Sequence, residues 1–224
     1  MATTRRDSPP QPDFAHLRAR MVQDYVAARG IKDERILQAM REVPRHLFVP
    51  TLVAAKAYGA GALPIGAKQT ISQPYIVARM IELLDLTGKE KVLEIGTGTG
   101  YQAVVLSKLC AKVFSIERIN ELALRAAELI RTLKIYNASV KVFDGTYGWS
   151  DQAPFDRIIV AAAAPQVPEP LVQQLSRTGK LVIPIGAEGN QRLARVMRVG
   201  TRIQIEDCGT AEFVPLVGKF GWKE

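Results

Sequence analysis

The chain has 224 residues, 47% of them hydrophobic, with 30 Lys and Arg against 22 Asp and Glu for a formal net charge of +8. That length fits one large domain or one domain with a cap, and no apolar run is long enough to span a membrane. Two cysteines, Cys110 and Cys208, cannot build a disulfide framework, and His16 and His46 stand far from other candidate ligands; buried free thiols, a cytoplasmic setting and no metal site are expected.

The charge excess admits a nucleic-acid or acidic partner, but the basic residues are dispersed. Arg18 and Arg20 stand among Asp13 and Asp24, and Arg125 and Arg131 flank Glu128. The densest group, Arg192, Arg195, Arg198 and Arg202, reads as a solvated face, so no specific nucleic acid and no membrane partner are expected.

Residues 1–12 are polar and proline-rich, lack the apolar core of a signal peptide, and read as a disordered tail. Phe14, Leu17, Met21, Tyr25 and Ala28 recur at helical spacing, which predicts a helix over 13–29 ended by Gly30. Asp33 is placed to cap a second helix with Ile36, Leu37 and Met40 inward and Pro44 beyond its end. Residues 44–73, dense in Gly and Pro, read as a long irregular connection of functional use. Pro74 opens a helix that carries Ile76, Val77, Met80, Ile81 and Leu84, and Gly88 stops it.

From Lys91 the pattern alternates. Strands are expected at 91–95, 112–117, 139–143, 156–161 and 180–185, and helices at 100–110, 120–134 and 168–176. Runs at 192–199 and 202–206, joined at Gly200-Thr201, predict an antiparallel hairpin at the sheet edge. The reading is an α/β, doubly wound, Rossmann-like fold: a mostly parallel sheet with a C-terminal antiparallel hairpin. Residues 13–224 form one domain, with 13–90 an N-terminal helical cap and active-site segment and 91–224 the ligand-binding core.

The stretch Val92-Leu93-Glu94-Ile95-Gly96-Thr97-Gly98-Thr99-Gly100-Tyr101 organises that core. It is a buried strand, a glycine turn and a helix start, an arrangement that aims backbone N–H groups at a nucleotide-like ligand. The dinucleotide fingerprint places its third glycine one residue later, where this chain has Tyr101. The form with Glu94 ahead of Gly96, Gly98 and Gly100 resembles motif I of the S-adenosylmethionine-dependent methyltransferases. That ligand has no phosphate and carries an ammonium and a sulfonium, so an acid beside the glycines helps.

Glu117 ends the second strand of the core, where a carboxylate can take both ribose hydroxyls. Asp144-Gly145 follows the third strand and reads equally as an adenine contact or a plain turn; Asp156 reads as structural. After the fourth strand, Ala161-Ala162-Ala163-Ala164-Pro165-Gln166 has no amide or acid to hold an exocyclic amine, and neither cysteine follows proline as in cytosine C5 enzymes. No His or Tyr stands out as a base. An acceptor already nucleophilic at neutral pH, such as a carboxylate, fits these absences. Thr70 and Ser72, ahead of Pro74, offer hydroxyls to such an anion, while Ser72 equally suits an N-cap.

The run Pro64-Ile65-Gly66 with Gln69-Thr70-Ile71-Ser72-Gln73-Pro74-Tyr75 resembles the signature of the protein-L-isoaspartate (D-aspartate) O-methyltransferase family. So do Val92–Gly98, Ser115-Ile116-Glu117-Arg118, Asp144-Gly145, Ala153-Pro154-Phe155-Asp156 and Phe213-Val214-Pro215-Leu216-Val217. The resemblance implies methyl transfer from S-adenosyl-L-methionine, leaving S-adenosyl-L-homocysteine, to the α-carboxylate of isoaspartyl residues in damaged proteins. It implies Ser72 and Thr70 as catalytic residues and Gln69, Thr70, Ile71, Ser72, Glu94, Gly96, Gly98, Gly100, Glu117, Arg118, Asp144 and Gly145 as cofactor contacts. Ser72, Val214, Pro215 and Leu216 would meet the substrate, and the enzyme would act as a monomer. Two departures stand out: 59–62 lacks the family's usual acid, and Lys68 replaces a common glycine. The rival readings are a methyltransferase acting on RNA and a non-catalytic protein that binds S-adenosylmethionine.

Overall fold

The computed structural model describes residues 13–223, so the tail expected over 1–12 lies outside the described residues. Helix α1 spans Phe14–Tyr25, capped by the Asp13 carboxylate, which accepts from the Ala15 and His16 N–H groups. The helix expected to reach residue 29 breaks at Val26, whose backbone leaves helical geometry as its side chain enters the core; one 3₁₀ turn, Ala27–Arg29, then closes at Gly30. Helix α2, Glu34–Glu42, is capped by Asp33 and buries Ile36, Leu37 and Met40.

The 44–73 connection is more ordered than its composition suggests. It holds 3₁₀ turns at Arg45–Phe48 and Thr51–Lys56, then a two-stranded antiparallel hairpin of β1, Leu63–Gly66, and β2, Gln69–Ile71. Its turn residues, Ala67 and Lys68, have φ of 49° and 56°, the left-handed pair that tight hairpins need and that Asn-Gly normally announces. Helix α3, Pro74–Leu83, follows with Gln73 at its N-cap position and buries Val77, Ala78, Met80 and Ile81.

Strand β3 (Lys91–Ile95) leads through α4 (Tyr101–Ser107) to β4 (Lys112–Glu117), then through α5 (Asn120–Thr132) to β5 (Ala138–Val142). Strand β6 (Phe155–Val160), the short α6 (Glu169–Gln173), β7 (Leu175–Ile185), β8 (Gln191–Val199) and β9 (Arg202–Ala211) complete the chain of elements. The sheet order is β5-β4-β3-β6-β7-β8-β9, parallel through β7 and antiparallel beyond. Helices α4 and α6 are shorter than expected and β7 and β9 longer. The polar run Glu206-Asp207-Cys208 breaks the alternation that marks a strand, yet β9 continues because Arg195 and Arg192 of β8 pair with Glu206 and Asp207 across the hairpin. These pairs also engage half of the densest basic group.

Alternation along the parallel strands fills two cores. Val92, Val113, Ile159 and Val182 pack with the N-terminal helices, while Leu93, Ile95, Phe114, Ile116, Ile158 and Val160 face the opposite side. The N-terminal helices thus share one core with the sheet. No helix among the described residues is long and apolar enough to cross a membrane. Strand β3 sits between β4 and β6, so the order in which strands are added reverses beside it, and a crevice opens at the carboxyl ends of these parallel strands.

Candidate active site

A cavity of about 370 Å³ occupies that crevice. Its floor is the glycine turn, Gly96 to Thr99, with Glu117, Arg118 and Gly145 beside it; the hairpin segment Ala67–Ser72 and the run Val214–Val217 form the opposite wall. The volume is in the range of sites that hold small organic ligands.

Glu117 organises the floor. One carboxylate oxygen accepts from the Gly98 N–H at 2.9 Å and the other from Ile119 N–H at 3.0 Å. Each oxygen keeps a further lone pair for a ligand hydroxyl. Gly96 and Gly98 have φ of 90° and 53°, so the turn needs glycine there and leaves the floor bare. Gly145 is required by space instead: a Cβ would overlap Ile95 Cγ2. A bare glycine floor and an acid at a strand end with spare lone pairs suit an adenosine-type ligand.

Glu94 does not line the cavity. It is fully buried under the glycine turn, where its carboxyl accepts from Ser115 Oγ and from Gln102 Nε2 at 3.0 Å. Ser115 Oγ also bonds Thr97 Oγ1, so Glu94 reaches the cavity only through Thr97 and Gln102, which do line it. Burial pushes the Glu94 carboxyl up to about 7, against the two hydrogen bonds and with help from the Glu117 charge. Gly100, with φ of 86°, also lies off the cavity; it lets α4 approach Ala126 and Ile130 of α5. Asp144 faces a neighbouring groove, and its carboxylate accepts from Thr146 N–H, Thr146 Oγ1 and Lys219 N–H. It therefore ties the C-terminal segment to the turn after β5. Asp156 accepts from the Lys91 N–H at 2.9 Å and joins β6 to the start of β3.

On the opposite wall, Gln69, Thr70, Ile71 and Ser72 all line the cavity. Ser72 is not the helix cap: the N-cap position belongs to Gln73, and no side chain caps α3. Neither the Thr70 nor the Ser72 hydroxyl has a partner among the described residues. The Ser72 carbonyl, however, accepts from the Arg45 guanidinium at 2.7 Å. The Val214–Leu216 run is held against the end of β6, with Ala163 N–H donating to Val214 O and Leu216 N–H donating to Ala163 O.

Sequence reasoning missed Thr97, Gln102 and Arg45. The first two stand inside or next to the glycine motif and could have been read from helix and turn periodicity. Arg45 carries no local signal of burial. Among the described residues no group of three or more His, Cys, Asp or Glu could hold a metal ion. Cys110 is buried and its thiol is pushed up to about 12 by burial, while Cys208 is partly exposed, not buried as expected.

A family model described as protein-L-isoaspartate(D-aspartate) O-methyltransferase matches residues 17–221. The chain is 51% identical over 212 residues to the protein-L-isoaspartate O-methyltransferase of Geobacter metallireducens, covering 94% of this chain and 98% of that relative. It is 50% identical over 212 residues to the namesake from Trichlorobacter lovleyi, with the same coverage. Among solved structures, a protein-L-isoaspartate O-methyltransferase superposes with a TM-score of 0.82 at 27% identity, over 91% of this chain and 67% of the other. A Plasmodium falciparum structure in complex with S-adenosyl-L-homocysteine shares the fold, with a TM-score of 0.76 at 24% identity over 88% and 96% of the two chains. On the match over 17–221 and these identities, the chain belongs to the protein-L-isoaspartate (D-aspartate) O-methyltransferase family.

Proposed function

We propose that the chain methylates the α-carboxylate of L-isoaspartyl residues in damaged proteins, using S-adenosyl-L-methionine, and that Ser72 and Thr70 hold the acceptor. The observation that supports this most is that Thr70 and Ser72, whose hydroxyls have no partner among the described residues, line one cavity with the glycine turn and Glu117. When bound, the cofactor supplies an electrophilic methyl group on a sulfonium.

The chain's own residues do the rest. Glu117 receives the ribose hydroxyls, Gly96 and Gly98 let the ligand lie against the backbone, and Gly145 leaves room for its ring. Ser72 and Thr70 donate to the acceptor carboxylate and fix the direction from which it meets the methyl group. No base is needed, because a carboxylate with a pKa near 4 is already ionised at neutral pH. The gain comes from orientation and from removing water around the anion. The methyl ester then closes to a succinimide without the enzyme, and hydrolysis returns part of it to normal aspartate. In this reading Glu94, Gly100 and Asp144 support the cofactor site from behind, and Arg118 borders it. Val214, Pro215 and Leu216 flank the bound peptide. Residues 13–224 act as one catalytic unit, monomeric and cytoplasmic, which gel filtration and cell fractionation test directly.

The deciding experiment is transfer of labelled methyl to paired peptides that carry isoaspartate or aspartate at one position. Labelling of the isoaspartyl peptide alone is the expected outcome. Equal labelling of both, or of neither, overturns the reading; cofactor binding without turnover would favour a non-catalytic role, and steeply salt-dependent RNA binding an RNA substrate.

A further inference from the structure

Arg45 heads the fully buried side chains, with 0% exposure, directly behind the wall that carries Ser72. Its Nε donates to Ala57 O at 2.8 Å and one terminal nitrogen to Ser72 O at 2.7 Å. The other terminal nitrogen, Nη1, is buried with no partner. No carboxylate pairs with this guanidinium among the described residues. It lies over the ring of Tyr101, 4.7 Å from the centroid; Tyr101 lines the cavity, and its own hydroxyl is buried and unpartnered.

A buried cation without a counter-charge costs several kcal/mol, and arginine cannot escape by losing its proton. Burial weighs against the charged form here and pulls the guanidinium below its ordinary value, opposed only by the neighbouring Tyr101 and Tyr58 hydroxyls, neither of which is a counter-charge at neutral pH. If Arg45 served only to bridge two carbonyls, a neutral donor would do so at lower cost. An anion is expected in this neighbourhood: the acceptor carboxylate that Ser72 is read to hold.

We propose that Arg45 is the positioning residue of the acceptor site, fixing Ser72 through its carbonyl and supplying the buried positive field that selects an anionic acceptor. The proposal rests on the functional reading above and extends it to selection between charge states. It has a consequence for turnover. Methyl transfer forms a carboxylate O–CH₃ bond and breaks the sulfonium S–CH₃ bond, whose electrons stay on sulfur, so the acceptor becomes a neutral ester. The field that attracts the substrate therefore does not hold the product.

The test measures binding of two peptides, in the presence of S-adenosyl-L-homocysteine, to the protein and to Arg45→Lys, Arg45→Gln and Arg45→Met. One peptide carries isoaspartate with a free α-carboxylate and the other the neutral α-amide at the same position. The unaltered protein is expected to prefer the carboxylate. Arg45→Gln and Arg45→Met should lower that preference about tenfold or more while S-adenosyl-L-homocysteine binds as before. Arg45→Lys keeps the charge and should keep the preference within about threefold, with both peptides bound more weakly because the hold on Ser72 is weaker. Retention of the full preference in a neutral variant overturns the proposal. So does its loss in Arg45→Lys, which decides the matter should the neutral variants not fold. Failure of the unaltered protein to distinguish isoaspartyl from aspartyl peptides is a different result, and overturns the functional reading instead.

Discussion

The two walls of the cavity are built differently. The wall with Gly96, Gly98, Glu117 and Gly145 grows from the carboxyl ends of β3, β4 and β5, whose ladder bonds anchor the strands up to Ile95, Glu117 and Val142. The facing wall lies off that sheet. It consists of a three-residue strand, β2, paired only with β1 in a two-stranded hairpin, and the run Val214–Leu216, with Arg45 on Ser72 and Ala163 on Val214 and Leu216 as further ties. The sheet-based wall offers what a nucleoside-like ligand needs and would serve many reactions. In the proposed reading the other wall selects the acceptor, and its geometry depends on a two-stranded hairpin and a few named bonds instead of the seven-stranded sheet. Single changes there should alter chemistry without unfolding the protein.

Ser72→Ala is the sharpest way to separate the walls. Loss of a hydrogen bond to a charged group predicts a fall in kcat/KM of about 10- to 100-fold, with S-adenosyl-L-homocysteine affinity unchanged. Steady-state kinetics beside calorimetric titration read both; a parallel loss of cofactor binding would mean the two walls are not separate. Glu117→Gln is the converse. Its carboxylate holds the turn and, in the proposed reading, receives the ligand hydroxyls, so cofactor affinity should drop about tenfold while peptide binding persists. An unchanged affinity would remove Glu117 from the ribose role.

Glu94 probes the support beneath the first wall. Its carboxyl is raised from about 4.5 to about 7, so the native state retains a proton that the unfolded chain releases across that interval. Stability must therefore fall as pH rises from about 4.5 to 7 and level off above, with a slope of at most about 1.4 kcal/mol per pH unit from this group. In Glu94→Gln that slope should vanish, so the stability difference between parent and variant, followed by urea unfolding at pH 5, 6 and 7, should shift against the parent as pH rises. A difference that does not vary with pH would mean that Glu94 is ionised in the fold.

Much of the first wall was legible in the sequence and less of the second, for a physical reason. Period-two burial, glycines at positive φ and an acid at a strand end leave local marks, so β3, the glycine turn and Glu117 could be read residue by residue. Hairpin β1–β2 left no such mark, because Ala67-Lys68 fills a turn that other residues normally announce. Arg45 left none either: after Pro44 and before His46 it reads as a surface cation, and only tertiary packing buries it. Glu94 was recognised as part of the motif, but its position behind the floor follows from strand alternation and the bonds to Ser115 and Gln102, not from the motif itself.

Lys68 gives the smallest and most specific test of the second wall. It is exposed at the cavity mouth in a left-handed conformation that an L residue adopts only at some cost, of order 1 kcal/mol. Lys68→Gly relieves that strain but adds chain entropy to the unfolded state, about 0.5–1 kcal/mol, so the net change in stability should be near zero. The charge is another matter. An exposed cation beside the path of an anionic acceptor should lower KM two- to threefold at low ionic strength and contribute nothing once salt screens it. KM for the isoaspartyl peptide should therefore rise in Lys68→Gly at low salt and converge with the parent value at high salt, with kcat unchanged. A rise that persists at high salt would trace to the turn's shape, and the hairpin, not its charge, would then govern how peptide enters.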